Sequence, residues 1–151
     1  MKTFTKVEQR KIDAALDVIR GYCVREREPV TSPGVGKNLM TLHLAGEDRE
    51  VFAVMFLNSQ HELLALENLF YGTIDGAAVY PREVAKRSLE IGAAAVIFGH
   101  NHPSGTPDPS TADRRITERL VSGLGLLDIR VLDHFVVAGD RVVSFAEEGM
   151  L

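Results

Sequence analysis

The segment AAAVIFGHNHPSGTPDPSTAD, residues 93–113, joins a short apolar run to a polar loop and the first residues of a helical pattern. The apolar run Ala93 to Phe98 predicts a short strand buried within a sheet. The loop is rich in the proline, glycine and aspartate of turns. Thr111 to Val121 predicts a helix, because Ile116 and Leu120 lie four residues apart. A buried strand, a loop and a helix in this order indicate an α/β protein.

Further strands are predicted on both sides of this segment. The continuous apolar run Val51 to Leu57 is typical of a strand covered on both faces, and His61 to Phe70 is predicted to be an antiparallel neighbour. The β-branched run Ile129 to Val137 is predicted to pair with Arg141 to Phe145 across the two-residue link Gly139-Asp140. Strands of both orientations predict an α/β sandwich with a mixed sheet.

Two further helices are predicted from capping signals. One begins at Thr5, where the Thr-x-x-Glu sequence to Glu8 is a capping box. Its apolar residues recur three or four positions apart and form one stripe: Ile12, Leu16, Ile19 and Cys23. The sole cysteine is therefore predicted to be a buried packing residue. The other helix runs from Pro81, suited to a first turn, to Gly92, suited to a helix end.

The segment Ser32 to Lys37 (SPGVGK) suggests a phosphate-binding loop or a DNA-binding helical hairpin. The phosphate-loop pattern fails because Thr31 and Asn38 occupy the positions of its first glycine and of its Ser or Thr. We instead predict a short helix with Ser32 as N-cap and Pro33 at the first helical position. The apolar face of this helix would comprise Val35, Leu39 and Leu42.

Composition limits the class of protein. The chain has 151 residues, of which 45% are hydrophobic and 25% charged, as in a single globular domain. Seventeen basic and 21 acidic residues give a net charge of −4, which disfavours a domain that mainly grips a phosphate backbone. The longest apolar stretch, residues 92–99, is too short to span a bilayer. A single cysteine and an N-terminus without a secretion signal predict a cytoplasmic protein with no membrane contact.

A metal site is predicted where the buried strand ends. On extended backbone, residues two apart face the same way, so His100 and His102 can direct both imidazoles at one cation. Asp113 can fold back from the next helix to give a third ligand. Three protein ligands leave the fourth tetrahedral position for water, as in catalytic zinc sites. Ser110-x-x-Asp113 is also a capping box, and a cap would explain these two residues but not the two histidines.

A catalytic site of this kind also needs a proton acceptor that is not a ligand. Glu50 is the candidate, since it precedes the buried strand Val51 to Leu57, whose end can reach a neighbouring strand's end. Three other glutamates compete for this role: Glu47, Glu83 and Glu90. The Ser110 hydroxyl can cap its helix or point to the water and a developing oxyanion.

These residues resemble a known family. His-x-His, seven residues, then Ser-x-x-Asp is the signature of the JAMM/MPN+ metalloprotease superfamily, and the surrounding sequence is similar to the RadC family from Val30 to Leu151. The matching motifs are Gly72-Thr73, Tyr80-Pro81-Arg82-Glu83-Val84, His100 to Gly105, Pro109-Ser110, Asp113, Val131-Leu132-Asp133-His134 and Ser144-Phe145-Ala146-Glu147. The resemblance divides the chain into an N-terminal helix, residues 1–29, and a RadC-type JAMM/MPN domain, residues 30–151.

The resemblance implies a fold and roles for the site residues. It implies a three-layer α/β/α sandwich with a mixed sheet, similar to cytidine deaminases. It implies zinc as cofactor and His100, His102 and Asp113 as its ligands. It further implies that Ser110 assists the oxyanion and that Glu50 is the general base. Longer RadC proteins carry a helix-hairpin-helix DNA-binding region before this domain, and here only a helix precedes it.

The leading hypothesis is therefore a zinc-dependent hydrolase that cleaves an amide bond in a protein or peptide. One alternative is a metal-dependent nuclease or other DNA-processing protein, suggested by the family name and by Arg114, Arg115 and Arg119 near the site. Another alternative is a binding module that the metal only stabilises. A deaminase is disfavoured because Pro-Cys-x-x-Cys is missing.

Residues outside this site carry weaker signals. His134 could orient a metal ligand, although a structural role is favoured. Arg82 and Glu83 could close a substrate groove or pair with each other. His43 and His61 have no assigned role.

Overall fold

A computed structural model describes residues 4–25, 29–32, 34–72 and 79–151, with only the backbone described for residues 22–25. Within these ranges the helices are α1 (Lys6–Arg25), α2 (Val35–Leu44), α3 (Pro81–Ile91) and α4 (Thr111–Gly125). The strands are β1 (Val51–Leu57), β2 (Leu63–Tyr71), β3 (Ala95–Asn101), β4 (Arg130–Ala138) and β5 (Arg141–Ser144). Among the described residues, no helix is long and apolar enough to cross a membrane.

The five strands form one mixed sheet in the order β2-β1-β3-β4-β5. β1 pairs antiparallel with both β2 and β3, and β4 and β5 form the antiparallel hairpin predicted from the sequence. β3 and β4 are parallel and are connected through α4. Because β1 and β3 are antiparallel neighbours, the first residues of β1 lie beside the last residues of β3, at the same end of the strands.

Both faces of the sheet are covered by helices, as the alternation of β1 shows. Val51, Ala53, Met55 and Leu57 belong to one core with residues of α1 and α2. Phe52, Val54 and Phe56 belong to a second core with residues of α3 and α4. Every residue of β1 is buried, which explains its continuous apolar sequence. The predicted three-layer α/β/α sandwich with a mixed sheet is confirmed.

Gly99 shows which way the residues at the end of β3 face. A Cβ atom at this position would lie 2.4 Å from the Met40 side chain, so α2 packs directly against the backbone of β3. His100 follows Gly99 and therefore faces the opposite side, towards α4. The glycine allows α2 to pack closely beneath the residue that begins the His-x-His motif.

Some predicted boundaries are wrong. β3 includes His100 and Asn101, whereas the apolar pattern predicts an end at Phe98. The strand continues because β4 pairs alongside it up to Asn101. Ser32 is not the N-cap of α2, because that position is held by Gly34 with a φ of 80°, and the Ser32 carbonyl oxygen accepts a hydrogen bond from the backbone N–H of Val35. The predictions for Pro33 and for the Cys23 side chain lie outside the described residues.

Candidate metal centre

The two histidines are positioned by β3. His100 is the penultimate residue of the strand, and its side chain is completely buried. His102 follows the strand, and its backbone N–H donates to the carbonyl oxygen of Val137 at 2.8 Å, which extends the pairing with β4. The Nε2 atoms of the two imidazoles are 2.9 Å apart. The alternation predicted from His-x-His thus brings both rings to one point.

The third member of the cluster is Asp113, in the first turn of α4. Its Oδ2 atom accepts a hydrogen bond from the Ser110 backbone N–H at 2.7 Å, and its own N–H donates to the Ser110 hydroxyl at 3.0 Å. Oδ1 lies 3.3 Å from His100 Nε2, and Oδ2 lies 3.2 Å from His102 Nε2. The capping box and the approach to the histidines therefore occur together and are not alternatives.

The atoms in this cluster fit a bound cation. His102 Nδ1 lies 2.8 Å from the carbonyl oxygen of Thr106, which can only accept, so Nδ1 carries the proton and Nε2 of the neutral ring is a lone pair. That lone pair faces His100 Nε2 and Asp113. Asp113 Oδ1 is buried and lacks a hydrogen-bond partner. Nitrogen and carboxylate donors converge within 4.8 Å, so the cluster could hold a metal ion.

The electrostatics of the cluster favour positive charge at this place. The hydrogen bond with Asp113 raises the pKa of His102 above its ordinary value, although burial opposes this. Burial alone would raise the pKa of Asp113, but the neighbouring imidazoles of His100 and His102 outweigh it and hold that pKa well below its usual range. The cluster thus stabilises positive charge between an ionised carboxylate and two imidazoles.

Glu50 acts electrostatically on this cluster. Phe52 pairs with His100 across β1 and β3, and Glu50 precedes Phe52 by two residues, which places it on the same face nearer the sheet edge. Its charge is among those that raise the pKa of His102. The Asn101 side chain fixes the flanking backbone, since its amide donates to the carbonyl oxygen of Arg49 at 2.9 Å and its oxygen accepts from the N–H of Val51 at 2.7 Å.

The competing glutamates have other neighbours. Glu83 and Glu90 lie on α3, where they pair with Arg82 at 3.7 Å and with Arg87 at 3.2 Å. Glu47 acts electrostatically on His43, which belongs to α2 on the opposite side of the sheet. Glu50, by contrast, is among the charges that act on His102 of the cluster. The basic residues of α4 that sequence analysis noted are exposed: Arg114, Arg115 and Arg119.

His134 contacts the cluster directly. Its Nε2 lies 2.8 Å from His100 Nδ1, and its Nδ1 lies 2.7 Å from the Thr117 hydroxyl. Burial lowers the pKa of His134 well below its ordinary value. Sequence analysis missed Thr117 and Asn101, because their contacts depend on which strands and helices lie side by side. Only the placement of Thr117 one helical turn after Asp113 could have pointed to it.

The chain has a mixed sheet between helical layers and a His-His-Asp cluster where the central strand β3 ends. These features define a JAB-type domain of the metalloprotease-like superfamily. The family model described as the RadC-like JAB domain matches residues 30–150, and the chain belongs to this family.

Related proteins share this sequence over most of the chain. A UPF0758 protein from Vibrio cholerae is 51% identical over 144 residues, which cover 95% of this chain and 90% of the relative. A UPF0758 protein from Methylibium petroleiphilum is 58% identical over 120 residues, or 80% of this chain and 54% of the relative. One from Aliivibrio fischeri is 53% identical over 93% of this chain and 64% of the relative. The chain thus spans less than two thirds of the length of some relatives, and these names state no activity.

Proposed function

We propose that this protein is a zinc-dependent hydrolase that cleaves an amide bond, peptide or isopeptide, in a protein or peptide substrate. The observation that carries the proposal is the buried Asp113 carboxylate, whose Oδ1 has no hydrogen-bond partner and whose two oxygens lie 3.3 and 3.2 Å from the Nε2 atoms of His100 and His102. A closed structural zinc site has four protein ligands, whereas the cluster formed by the residues that the structure describes has three. Membership of a metalloprotease-like superfamily supports the same chemistry.

His100, His102 and Asp113 would hold the metal through Nε2, Nε2 and a carboxylate oxygen. A divalent ion bound there supplies Lewis-acid activation of a water molecule and of the substrate carbonyl. Imidazole and carboxylate donors suit zinc among the available metals. The sole cysteine is not needed as a ligand, and a chain with one cysteine can form no internal disulfide, which suits the cytoplasm, where we place the activity.

Two residues of the chain would act on the substrate. Glu50 would take the proton of the attacking water and return it to the leaving amine. Two observations support this role: its charge acts on His102, and it is not one of the three residues of the cluster. The Ser110 side chain is exposed at the start of α4 and can donate its hydroxyl proton to the developing oxyanion while its oxygen still accepts from Asp113 N–H.

The test combines metal analysis with a glutamate substitution. We expect the purified chain to contain stoichiometric zinc and to cleave members of a peptide and isopeptide substrate panel. Glu50→Gln should keep the metal and lose about 10²- to 10⁴-fold in rate. Glu47→Gln, a nearby glutamate on the other side of the sheet, is the matched control and should behave as the wild type. Absence of any bound transition metal from the wild-type chain would refute the proposal.

A further inference from the structure

The buried contacts of His100 continue away from the metal cluster. His100 Nδ1 meets His134 Nε2 at 2.8 Å, and His134 Nδ1 meets the Thr117 hydroxyl at 2.7 Å. The same hydroxyl lies 2.7 Å from the backbone carbonyl oxygen of Asp113. His100, His134 and Thr117 have at most 1% of their surface exposed, so water does not compete for these contacts. The chain of hydrogen bonds begins and ends at members of the metal cluster.

The last acceptor of this chain fixes the direction of every hydrogen bond in it. A carbonyl oxygen can only accept, so the single proton of the Thr117 hydroxyl is donated to Asp113. The hydroxyl oxygen must then accept from His134, which places a proton on His134 Nδ1. A neutral His134 ring has its lone pair on Nε2, which accepts from His100 Nδ1. His100 is consequently left with a lone pair on Nε2, the atom that faces His102 and Asp113.

We infer that Thr117 and His134 are positioning residues that hold His100 in the tautomer that can bind a metal. If these hydrogen bonds ran in the opposite direction, His100 Nε2 would carry the proton and could not bind a metal. Ring contacts support the fixed orientation, since the centroid of His134 lies 4.7 Å from that of Phe145 in a stacked arrangement and 4.8 Å from that of His100. The inference rests on the proposed metal site, but the tautomer of His100 can be measured without metal and without a substrate.

Thr117→Val tests the inference, because valine has nearly the shape of threonine and removes the hydroxyl. His134 Nδ1 would then lack an acceptor, and its proton would move to Nε2 and donate towards His100. In the metal-free chain of 151 residues, long-range ¹H–¹⁵N correlation spectra should show His100 protonated at Nδ1 in the wild type and at Nε2 in Thr117→Val. Zinc affinity, measured by competition with a chromophoric chelator, should fall about 10- to 100-fold.

Two control variants separate this effect from simple loss of a buried hydroxyl. Thr117→Ser retains the hydroxyl and should retain both the tautomer and the zinc affinity. Ser88→Ala removes a comparable buried hydroxyl from α3, where Ser88 Oγ donates to the Val84 carbonyl oxygen at 2.7 Å. This control should leave His100 and zinc binding unchanged. Wild-type zinc affinity in Thr117→Val, or an unchanged His100 tautomer there, would overturn the inference.

Substitutions of His134 give an independent test if Thr117→Val does not fold. A glutamine can accept from His100 through Oε1 and donate to Thr117 through its amide, so His134→Gln should keep the His100 tautomer and zinc affinity. His134→Phe preserves the ring but removes the acceptor and should weaken zinc binding about 10- to 100-fold. Equal affinities in the two variants would overturn the inference. A wild-type chain that binds zinc but hydrolyses nothing would refute the proposed function and leave this inference standing.

Discussion

Asp113 in α4 and Asp133 in β4 differ in the hydrogen bonds that their carboxylates accept. Oδ1 of Asp133 accepts from the N–H groups of His134 and Ala146 at 2.7 and 3.0 Å, and its Oδ2 accepts from the Ser144 hydroxyl at 2.6 Å. Asp113 Oδ2 accepts from the Ser110 N–H and lies 3.2 Å from His102 Nε2, whereas the buried Oδ1 has no hydrogen-bond partner.

The difference separates a structural carboxylate from one built for a ligand. Asp133 uses donors of its own chain to join β4 to the turn that follows β5, so nothing further is needed to satisfy it. An unsatisfied buried oxygen costs about 1 to 3 kcal/mol, and a fold retains such an atom where a bound group repays the cost. The two imidazole nitrogens that face Asp113 give the cluster a donor set that could hold a metal ion.

The largest contrast should come from removing each carboxylate. Asp113→Ala takes away one of three ligands, so we expect stoichiometric zinc to be lost and the affinity to fall more than about 100-fold. Zinc at 100 times its dissociation constant should stabilise the wild-type chain by about 2.7 kcal/mol, and Asp113→Ala should show no such stabilisation. Metal analysis and thermal unfolding with and without zinc measure both effects. Retention of zinc by Asp113→Ala would contradict the contrast.

Asp133→Ala should give the opposite pattern. It leaves two backbone donors and the Ser144 hydroxyl without an acceptor, so the free energy of unfolding should fall by about 2 kcal/mol. Zinc content should stay at the wild-type value. Urea denaturation measures the loss, and Asp133→Asn is the milder control, because its carbonyl oxygen can still accept from both N–H groups. An undiminished free energy of unfolding in Asp133→Ala would show that these contacts do not stabilise the fold.

Features that depend on the local sequence could be predicted, whereas contacts between distant segments could not. β1 was predicted with its correct bounds, because seven consecutive apolar residues are typical of a strand buried on both faces. The bounds of α3 follow from Pro81 and from Gly92, whose left-handed conformation ends the helix. The convergence of His100 and His102 could also be predicted, since it depends only on alternation along extended backbone.

Contacts between distant segments could not be predicted in this way. His134 meets His100 because β3 and β4 are parallel neighbours in a particular register, and no local pattern specifies that register. Asn101 binds the backbone on both sides of Glu50 because β1 and β3 are antiparallel neighbours, and no local pattern specifies that pairing either. Ser32 failed as an N-cap because glycine at position 34 accepts a left-handed conformation that begins the helix two residues later.

A smaller effect is expected from pH, because a proton and a metal compete for His102 Nε2. The pKa of His102 is raised above 6.5 in the metal-free chain, so the ring becomes protonated as the pH falls through that raised value. At a pH above the pKa of His102, zinc affinity should not depend on the protonation of this residue. At a pH below that pKa, zinc affinity should fall about tenfold per pH unit.

Chelator competition between pH 8 and pH 5.5, a range of about 2.5 units that brackets an ordinary histidine pKa, measures this dependence. His61→Asn is the control, since it removes another histidine, at a φ of 63° that asparagine tolerates. It should leave the profile unchanged. Asp133→Ala should show the same profile as the wild type, because Asp133 does not contact His102. A flat profile in the wild type would contradict the competition.

The smallest effect on stability should distinguish the two serines that serve these aspartates. Ser110 Oγ accepts from Asp113 N–H at 3.0 Å, so Ser110→Ala should cost about 1 kcal/mol as a lost N-cap. Asp113 Oδ2 is held by the Ser110 backbone and not by its side chain, so zinc affinity should persist. If the hydroxyl also assists the oxyanion, the rate should fall about 10²- to 10³-fold. Ser144→Ala is the matched control, since its hydroxyl binds Asp133, and it should lower stability but not rate. Equal cleavage rates in Ser110→Ala and Ser144→Ala would show that Ser110 caps the helix and does not assist the oxyanion.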